Sequence, residues 1–322
     1  MGGDRGPGVV VEGALLALEE GLGPVVLIGD EAILTSELAR LKAPPGGLTV
    51  AHAPESVGMS DTPAKVVRSR RRTSIGLGLG LVHDGAAAGF FSAGNSGAVL
   101  ALAVVTLRRL DGCERPAIAA VLPSARRPIV LLDAGANADC RPAHLVQFAR
   151  MGAAFAQVHL GRTQPTLGLL SNGTEPSKGT EALRQAHEVL AASSLAYAGF
   201  IEGRDVPAGV VDVVVTDGFT GNIVLKLSEG IALALLDRVR SALTRSLAGI
   251  VGGLLVKRSL RALRHELDWV NVGGAALLGV DGVAVVGHGA STPAAIASGL
   301  RLTRALCEER LVTRLGEALG AR

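Results

Sequence analysis

Short apolar runs that close on a glycine-rich polar loop, and then on a helix-compatible stretch, recur along this chain and restrict its fold more than any other feature. Gly89-Phe90-Phe91 leads into Ser92-Ala93-Gly94-Asn95-Ser96-Gly97. Leu167-Gly168-Leu169-Leu170 leads into Ser171-Asn172-Gly173-Thr174-Glu175-Pro176-Ser177-Lys178-Gly179, and Val211-Asp212-Val213-Val214-Val215 into Thr216-Asp217-Gly218-Phe219-Thr220-Gly221-Asn222. Further apolar runs lie at 25–28, Ala117–Leu122, Ile129–Leu132 and Val283–Val286. They are continuous rather than alternating, as in strands buried on both faces. Stretches at 97–110, Pro142–Leu160, 179–192 and 222–245 read as helices between them. The alternation predicts an α/β fold with a mostly parallel sheet covered on both sides. No repeat or linker divides it, so residues 1–322 read as one domain.

Composition excludes several classes. Hydrophobic residues make up 48% of the 322, which supports a large core and argues against disorder. Aromatics are 2%, too few for base-stacking platforms, and a net charge of +3 calls for no polyanion, so no nucleic-acid partner is expected. Cys113, Cys140 and Cys307 are widely spaced, which favours a reducing cytosol over a disulfide framework or zinc cluster. No unbroken apolar run reaches membrane-spanning length, and the first residues carry no apolar signal core.

In an open α/β sheet, ligands gather at the carboxyl ends of strands. Glycine loops there bring backbone N–H groups close to an anion, and the next helix N-terminus favours negative charge. Lys178 can hold a phosphate oxygen or polarise a carbonyl, with the Asn172-Gly173 turn beside it and Ser177-Lys178-Gly179 opening a helix. The spacing is not that of a Walker loop, so ATP is not implied. Asp217 can orient a partner or accept a proton, with Thr220 and Asn222 as donors. The plain alternative makes Asp217 or Thr220 a helix N-cap. Asn95 and Ser96 are candidate donors in an anion nest. Asp133 and Asp139 suit either Mg²⁺ ligation or the ordering of a turn. His288, between Gly287 and Gly289, suits an acid, base or donor role, or simple turn geometry. No nucleophile elbow is present, so direct attack of one bound substrate on another fits better than an acyl-enzyme.

Residues 238–267 break the rhythm. An apolar centre at 247–256 is flanked by Arg238, Arg240, Arg245, Lys257, Arg258, Arg261, Arg264 and His265. It suits either the tip of a helical hairpin dipping into an anionic membrane surface or a helix pair in a core or dimer interface.

Taken in order, Met1-Gly2-Gly3-Asp4, Ser92 to Ala98, Arg115-Pro116-Ala117-Ile118, Leu132-Asp133-Ala134-Gly135-Ala136-Asn137, Ser171 to Glu175, Ile201-Glu202-Gly203-Arg204-Asp205, Thr216 to Asn222 and Gly287-His288-Gly289 resemble the bacterial phosphate acyltransferases of phospholipid synthesis. The resemblance runs from Met1 to about Ala297. It implies a Rossmann-like α/β/α sandwich with a protruding helical hairpin at 238–267, and a homodimer. It implies attack of inorganic phosphate on the thioester of a long-chain acyl group carried by acyl carrier protein, giving acyl phosphate. It also implies a cytoplasmic enzyme held peripherally on the inner face of the membrane, with no cofactor and no metal.

On that reading Lys178, Asp217, Asn222 and His288 are catalytic. Asp4, Asn95, Ser96, Asn137, Ser171, Asn172, Gly173, Thr220 and Gly289 bind substrate. Leu247, Ile250, Val251, Leu254, Leu255, Lys257, Arg258, Arg261 and Arg264 meet the carrier protein or the membrane. The chain departs from the family pattern in three places. The strand usual before Met-Gly-Gly-Asp is absent, Phe200 replaces an asparagine, and Arg71-Arg72-Thr73-Ser74 replaces a Lys-Lys-Asp-Ser run. Three other functions are compatible with parts of the chain: a short-chain acyl-CoA phosphotransacetylase, a dehydrogenase on a related fold, and a membrane scaffold without catalysis.

Overall fold

The computed structural model describes residues 2–70, 72–267 and 273–320, with side chains at all of these except 63, 247–248 and 263–267. The chain opens with helix α1 (Pro7–Glu19), strand β1 (Val25–Gly29), α2 (Glu31–Arg40) and β2 (Leu48–His52). There follow α3 (Pro63–Arg68), α4 (Ser74–His83), β3 (Gly89–Ser92), α5 (Ser96–Thr106), β4 (Ala117–Leu122) and β5 (Ile129–Leu132). Next are α6 (Pro142–Leu160), β6 (Leu167–Leu170), α7 (Glu181–Ala191), β7 (Tyr197–Ile201), α8 (Asp205–Ala208) and β8 (Val213–Val215). The last part holds α9 (Gly218–Thr244), α10 (Leu247–Leu255), α11 (Lys257–Leu267), β9 (Ala275–Leu278), β10 (Val283–Val286), α12 (Pro293–Glu308) and α13 (Leu311–Leu319).

Eight strands form one sheet in the order β3-β10-β9-β4-β5-β8-β6-β7, while β1 and β2 pair separately. The sheet is parallel within β3–β10 and within β5–β8–β6–β7, and antiparallel through β10–β9, β9–β4 and β4–β5. The antiparallel centre follows from connection length. The links β4–β5 and β9–β10 are too short for a crossover helix, which takes about a dozen residues or more. β2, β7 and β9 lie outside the apolar runs: β2 is half-exposed, Gly199 interrupts β7, and β9 is short and alanine-rich.

Both faces of the sheet are covered. α6 covers one face of the β5–β8 part, with α13 packed on α6, and Phe148, Met151 and Phe155 are fully buried there. α4 and α5 pack a second core on β3 and β10 through Leu79, Val99 and Leu102. Asp212 staples the amino ends of β5, β6 and β8. It is buried, lies within ion-pair distance of Arg127 and Arg162, and accepts from the Thr166 N–H and hydroxyl.

A cavity of about 630 Å³ lies between the outer edge of β1 and the outer edge of β3. Val10 and Ala14 of α1, Ile75 and Gly78 of α4, and Ile296 and Leu300 of α12 line it.

The hairpin differs from its expected outline. Its outgoing arm, α9, begins at Gly218 and runs 27 residues. Only Gly218 and Gly221 of this helix are buried. By length and mean hydropathy (1.4 over an 18-residue window, 6% of it buried) α9 is capable of crossing a membrane, which a search for unbroken apolar runs does not reveal. α10 folds back on its end. A side chain at Gly249 would lie 2.5 Å from the Leu243 carbonyl oxygen, and one at Gly253 would touch the Leu243 side chain. Gly249 and Gly253 thus form the edge on which α10 packs.

Candidate active site

Two polar clusters form at carboxyl strand ends. The first lies at β5, β8 and β6, which are neighbours in the sheet. Its floor is Asp133, with no exposed surface. Asp133 Oδ1 accepts the N–H groups of Ile118, Gly135 and Ala136 (3.0, 3.1 and 2.9 Å), and Oδ2 accepts both the backbone and side-chain N–H of Asn137 (2.7 and 2.9 Å). Asp133 therefore orders the turn, and its oxygens are filled by N–H donors rather than turned toward a cation. Asn137 gives its other amide hydrogen to the Pro116 carbonyl at 2.8 Å. Both of its side-chain donors thus serve the scaffold, not a substrate.

Asp217 caps α9. Its Oδ1 accepts the Thr220 N–H and its Oδ2 the Thr220 hydroxyl, each at 2.8 Å. The plain alternative holds for this carboxylate: it positions Thr220 and the helix start. Close backbone packing docks that start on Asp133. Gly218 N–H donates to the Asn137 carbonyl at 2.7 Å, and a Cβ on Gly221 would lie 1.9 Å from the Asp133 carbonyl oxygen. Asn222 then stands half-exposed beside Gly135.

On the adjacent β6 loop, exposed Asn172 accepts the Gly179 N–H at 3.0 Å and the Ser171 hydroxyl at 3.4 Å. Gly173 is buried under the stem of Lys178. The Lys178 ammonium is exposed and forms no ion pair among the described residues. α7 begins later than expected: Thr180 caps it by accepting the Leu183 N–H, so Lys178 sits in the loop before the helix. Beside this loop, Ser171 N–H donates to the Ile201 carbonyl at 2.8 Å, which places the Glu202–Arg204 ion pair at the next strand end. That motif is visible in the sequence, but only the β6–β7 pairing puts it at the strand end beside the loop that carries Lys178. Cys140 is held as the neutral thiol at physiological pH. Burial, then the Asp133 charge, pushes its thiol up to about 12.

The second cluster lies at the carboxyl ends of β3 and β10. Asn95 caps α5 by accepting the Ala98 N–H, and its amide donates to the carbonyls of Gly58, Met59 and Asp61. Ser96 is exposed in the first turn of α5. His288 is exposed, its Nδ1 accepts the Ala290 N–H at 3.2 Å, and its carbonyl accepts the Ser291 hydroxyl at 2.6 Å. Asp4 N–H donates to the Gly289 carbonyl at 3.0 Å. The three glycine loops therefore do not share one set of parallel strand ends. The antiparallel strands β9 and β4 reverse direction between Ser92–Gly97 and the other two loops.

At the hairpin tip Ile250, Val251, Leu254 and Leu255 are 45, 59, 64 and 82% exposed. Lys257, Arg258 and Arg261 follow, also exposed. The side chains of Leu247 and Arg264 lie outside the described residues, as does Met1.

Comparison with known proteins agrees with this architecture. Residues 1–314 match the family model described as "Fatty acid synthesis protein". The phosphate acyltransferase of Syntrophotalea carbinolica is 43% identical over 99% of this chain and 92% of its own length, and that of Myxococcus xanthus is 45% identical over the same shares. This chain belongs to the phosphate acyltransferase family. Like those relatives, it is an enzyme. A phosphotransacetylase from Streptococcus pyogenes shares the fold of this phosphate acyltransferase family member, with a TM-score of 0.66 at 19% identity over 94% of this chain and 92% of its own. The EutD phosphotransacetylase from Staphylococcus aureus does so with a TM-score of 0.57 at 14% identity, covering 92% and 99%.

Proposed function

We propose that this enzyme transfers a long-chain acyl group from the thioester of acyl carrier protein to inorganic phosphate. The observation that carries the reading is Lys178: an exposed cation with no ion pair among the described residues, on a glycine loop whose neighbours in the sheet carry Asn222 and Thr220. Phosphate is already an anionic nucleophile at neutral pH, so the protein's task is to position it and to stabilise the oxyanion. A phosphate oxygen attacks the thioester carbonyl carbon. The tetrahedral oxyanion collapses, the C–S bond breaks, and the carrier leaves as thiolate, which takes a proton from solvent. Lys178, the N–H groups of the Asn172-Gly173 turn and Asn222 serve the phosphate and the oxyanion. Asp217 holds Thr220 and the α9 start in place. His288, Asp4, Gly289 and Ser96 form a second substrate-facing cluster, while the Asn95 side chain serves the scaffold, its amide on the carbonyls of residues 58, 59 and 61 and its oxygen on the α5 start.

Exposed Phe219, Ile223, Leu227, Ile231, Leu235 and Val239 recur every four residues along α9. This stripe supports a homodimer, and the apolar tip with its following cations supports peripheral contact with an anionic membrane on the cytoplasmic side. The same cations suit an acidic carrier protein.

The test is thiol release from hexadecanoyl acyl carrier protein, with and without phosphate. Release that depends on phosphate and falls about 100-fold in kcat/KM for Lys178→Ala, with a smaller loss for His288→Ala, is the expected result. The reverse order of losses overturns the assignment of Lys178. Equal rates with acetyl-CoA would favour a short-chain phosphotransacetylase instead.

A further inference from the structure

The cations of this chain are not spread evenly. Residues 65–72 hold Lys65, Arg68, Arg70, Arg71 and Arg72, more positive charge than the net +3 of all 322 residues, and no carboxylate occurs from Thr62 to His83. α3 fixes the start of this run in space. Val66 is buried in the core that holds Val99 and Leu102 of α5, which leaves Lys65 and Arg68, one helical turn apart, on the outer face. Arg70 and Arg72 follow, also exposed. Lys65 pairs with Asp61 at 2.7 Å and Arg72 with Glu55 at 2.9 Å, with the two cations 74 and 67% exposed. Such exposed pairs hold weakly and exchange readily for other carboxylates. Arg68 and Arg70 form no ion pair among the described residues.

This face adjoins the second polar cluster. The Asn95 amide binds the carbonyls of Gly58, Met59 and Asp61, which ties the segment before α3 to the start of α5. Gly58 N–H donates to Asp61 Oδ2 at 2.9 Å, and Asp61 Oδ1 accepts from Lys65. Met59, half-exposed, covers Gly289: a Cβ there would lie 3.2 Å from the Met59 methyl and 2.9 Å from the Asp4 carboxylate. The surface thus runs from four exposed cations, over one adaptable apolar side chain, to the His288 loop. That combination fits an acidic protein surface.

Reach favours the same place. Ala284 of β10 pairs with Leu277, Leu277 with Ile118, and Ile118 N–H donates to Asp133 Oδ1. Asp133 is therefore level with Ala284, across three strand spacings or about 14 Å. His288 stands four residues beyond Ala284, which puts the two polar clusters roughly 20 Å apart. A carrier protein presents its thioester on a prosthetic arm of comparable length. The hairpin tip offers no such proximity. Leu243, on which α10 packs, lies about 38 Å along α9 from Gly218 by helix rise. The tip cations suit an acidic carrier by charge but not by distance.

We propose, resting on the acyl-carrier reading above, that Lys65, Arg68, Arg70 and Arg72 around Met59 form the docking surface for the acidic acyl carrier protein, and that the hairpin tip is left to the membrane. Carrier carboxylates replace Asp61 and Glu55 on Lys65 and Arg72 and pair with Arg68 and Arg70, while Met59 takes an apolar side chain of the carrier. The arm then enters past Gly289 and His288. Cations at this density also steer the encounter, so association weakens with salt.

The experiment reads binding and turnover separately on the full chain. Binding is the fluorescence anisotropy of labelled acyl carrier protein, and turnover is phosphate-dependent thiol release from hexadecanoyl carrier protein and from hexadecanoyl-pantetheine. Arg68→Glu with Arg70→Glu is expected to raise Kd and KM for the carrier about tenfold at low salt, with kcat, the thermal midpoint and turnover of hexadecanoyl-pantetheine held. Arg68→Gln with Arg70→Gln should fall between, and added salt should close the gap. Unchanged carrier Kd in the charge-reversed protein overturns the proposal, as does a weakening produced instead by Lys257→Glu with Arg258→Glu. Loss of sedimentation with phosphatidylglycerol vesicles at unchanged carrier Kd gives the face to a membrane and also overturns it. Carrier binding that depends on Arg68 and Arg70 without phosphate-dependent release keeps the docking surface and defeats the acyl-transfer reading. No carrier binding by the wild type overturns both.

Discussion

Asp133 shows how much one buried carboxylate can organise. Its five N–H donors come from β4, its own loop and Asn137, and the start of α9 rests on its backbone. Asp133→Asn keeps the shape but replaces one acceptor oxygen with a donor facing other donors. Urea unfolding is expected to show a loss of about 3 kcal/mol or more, with activity falling in parallel. Asp217→Ala is a milder case. Loss of an N-cap costs about 1–2 kcal/mol by the same measurement. If the capping reading is right, Asp217→Asn, which retains an acceptor at Oδ1, recovers most of both stability and rate. A general-base role would leave Asp217→Asn as inactive as the alanine variant.

At the scale of elements, α9 is docked by its first two turns, where Val224 and Leu225 pack on the core, and is largely exposed from there to the α10 contact at Leu243. Gly221→Ala would force a methyl group to within 1.9 Å of the Asp133 carbonyl oxygen, so the helix must shift away from its seat. The expected outcome is a folded protein, by circular dichroism, whose phosphate-dependent turnover is lost. α6 carries a pH response. His159 packs against Phe155 with ring centroids 5.3 Å apart, and burial holds its pKa below the ordinary 6.5. As pH falls through 6.5 the unfolded chain takes up a proton that the folded chain refuses, so stability falls. The slope from this residue is at most about 1.4 kcal/mol per pH unit, and His159→Gln should flatten unfolding free energy against pH between 7.5 and 5. His144, whose pKa is also lowered by burial and then by Arg141, contributes in the same direction.

For the whole molecule, the test of membrane contact is the hairpin tip. Val251 and Leu255 are 59 and 82% exposed, so Val251→Glu with Leu255→Glu should leave the thermal midpoint unchanged. Sedimentation with vesicles rich in phosphatidylglycerol should fall about tenfold. Unchanged sedimentation would remove the tip from the membrane reading.

Much of this was legible from residue order alone. Apolar runs marked seven of the strands because double burial leaves an unbroken apolar signature. Helix α6 matches its expected bounds, and Pro142 at its first turn with Gly161 after its last is a pattern that local chemistry specifies. The glycine loops marked Lys178, Asp217 and His288 as polar groups at strand ends. Which loops stand together was a different matter. Strand pairing is non-local: the antiparallel β4 and β9 separate the Ser92 and His288 loops from the Lys178 loop, and only packing fixes that order. The same holds for roles. Asn137 and Asp217 carry ordinary ligand-binding chemistry, yet the tertiary fold spends their hydrogen bonds on the scaffold. Residue type states what a side chain can donate or accept, whereas only the folded backbone states which partners have already claimed it.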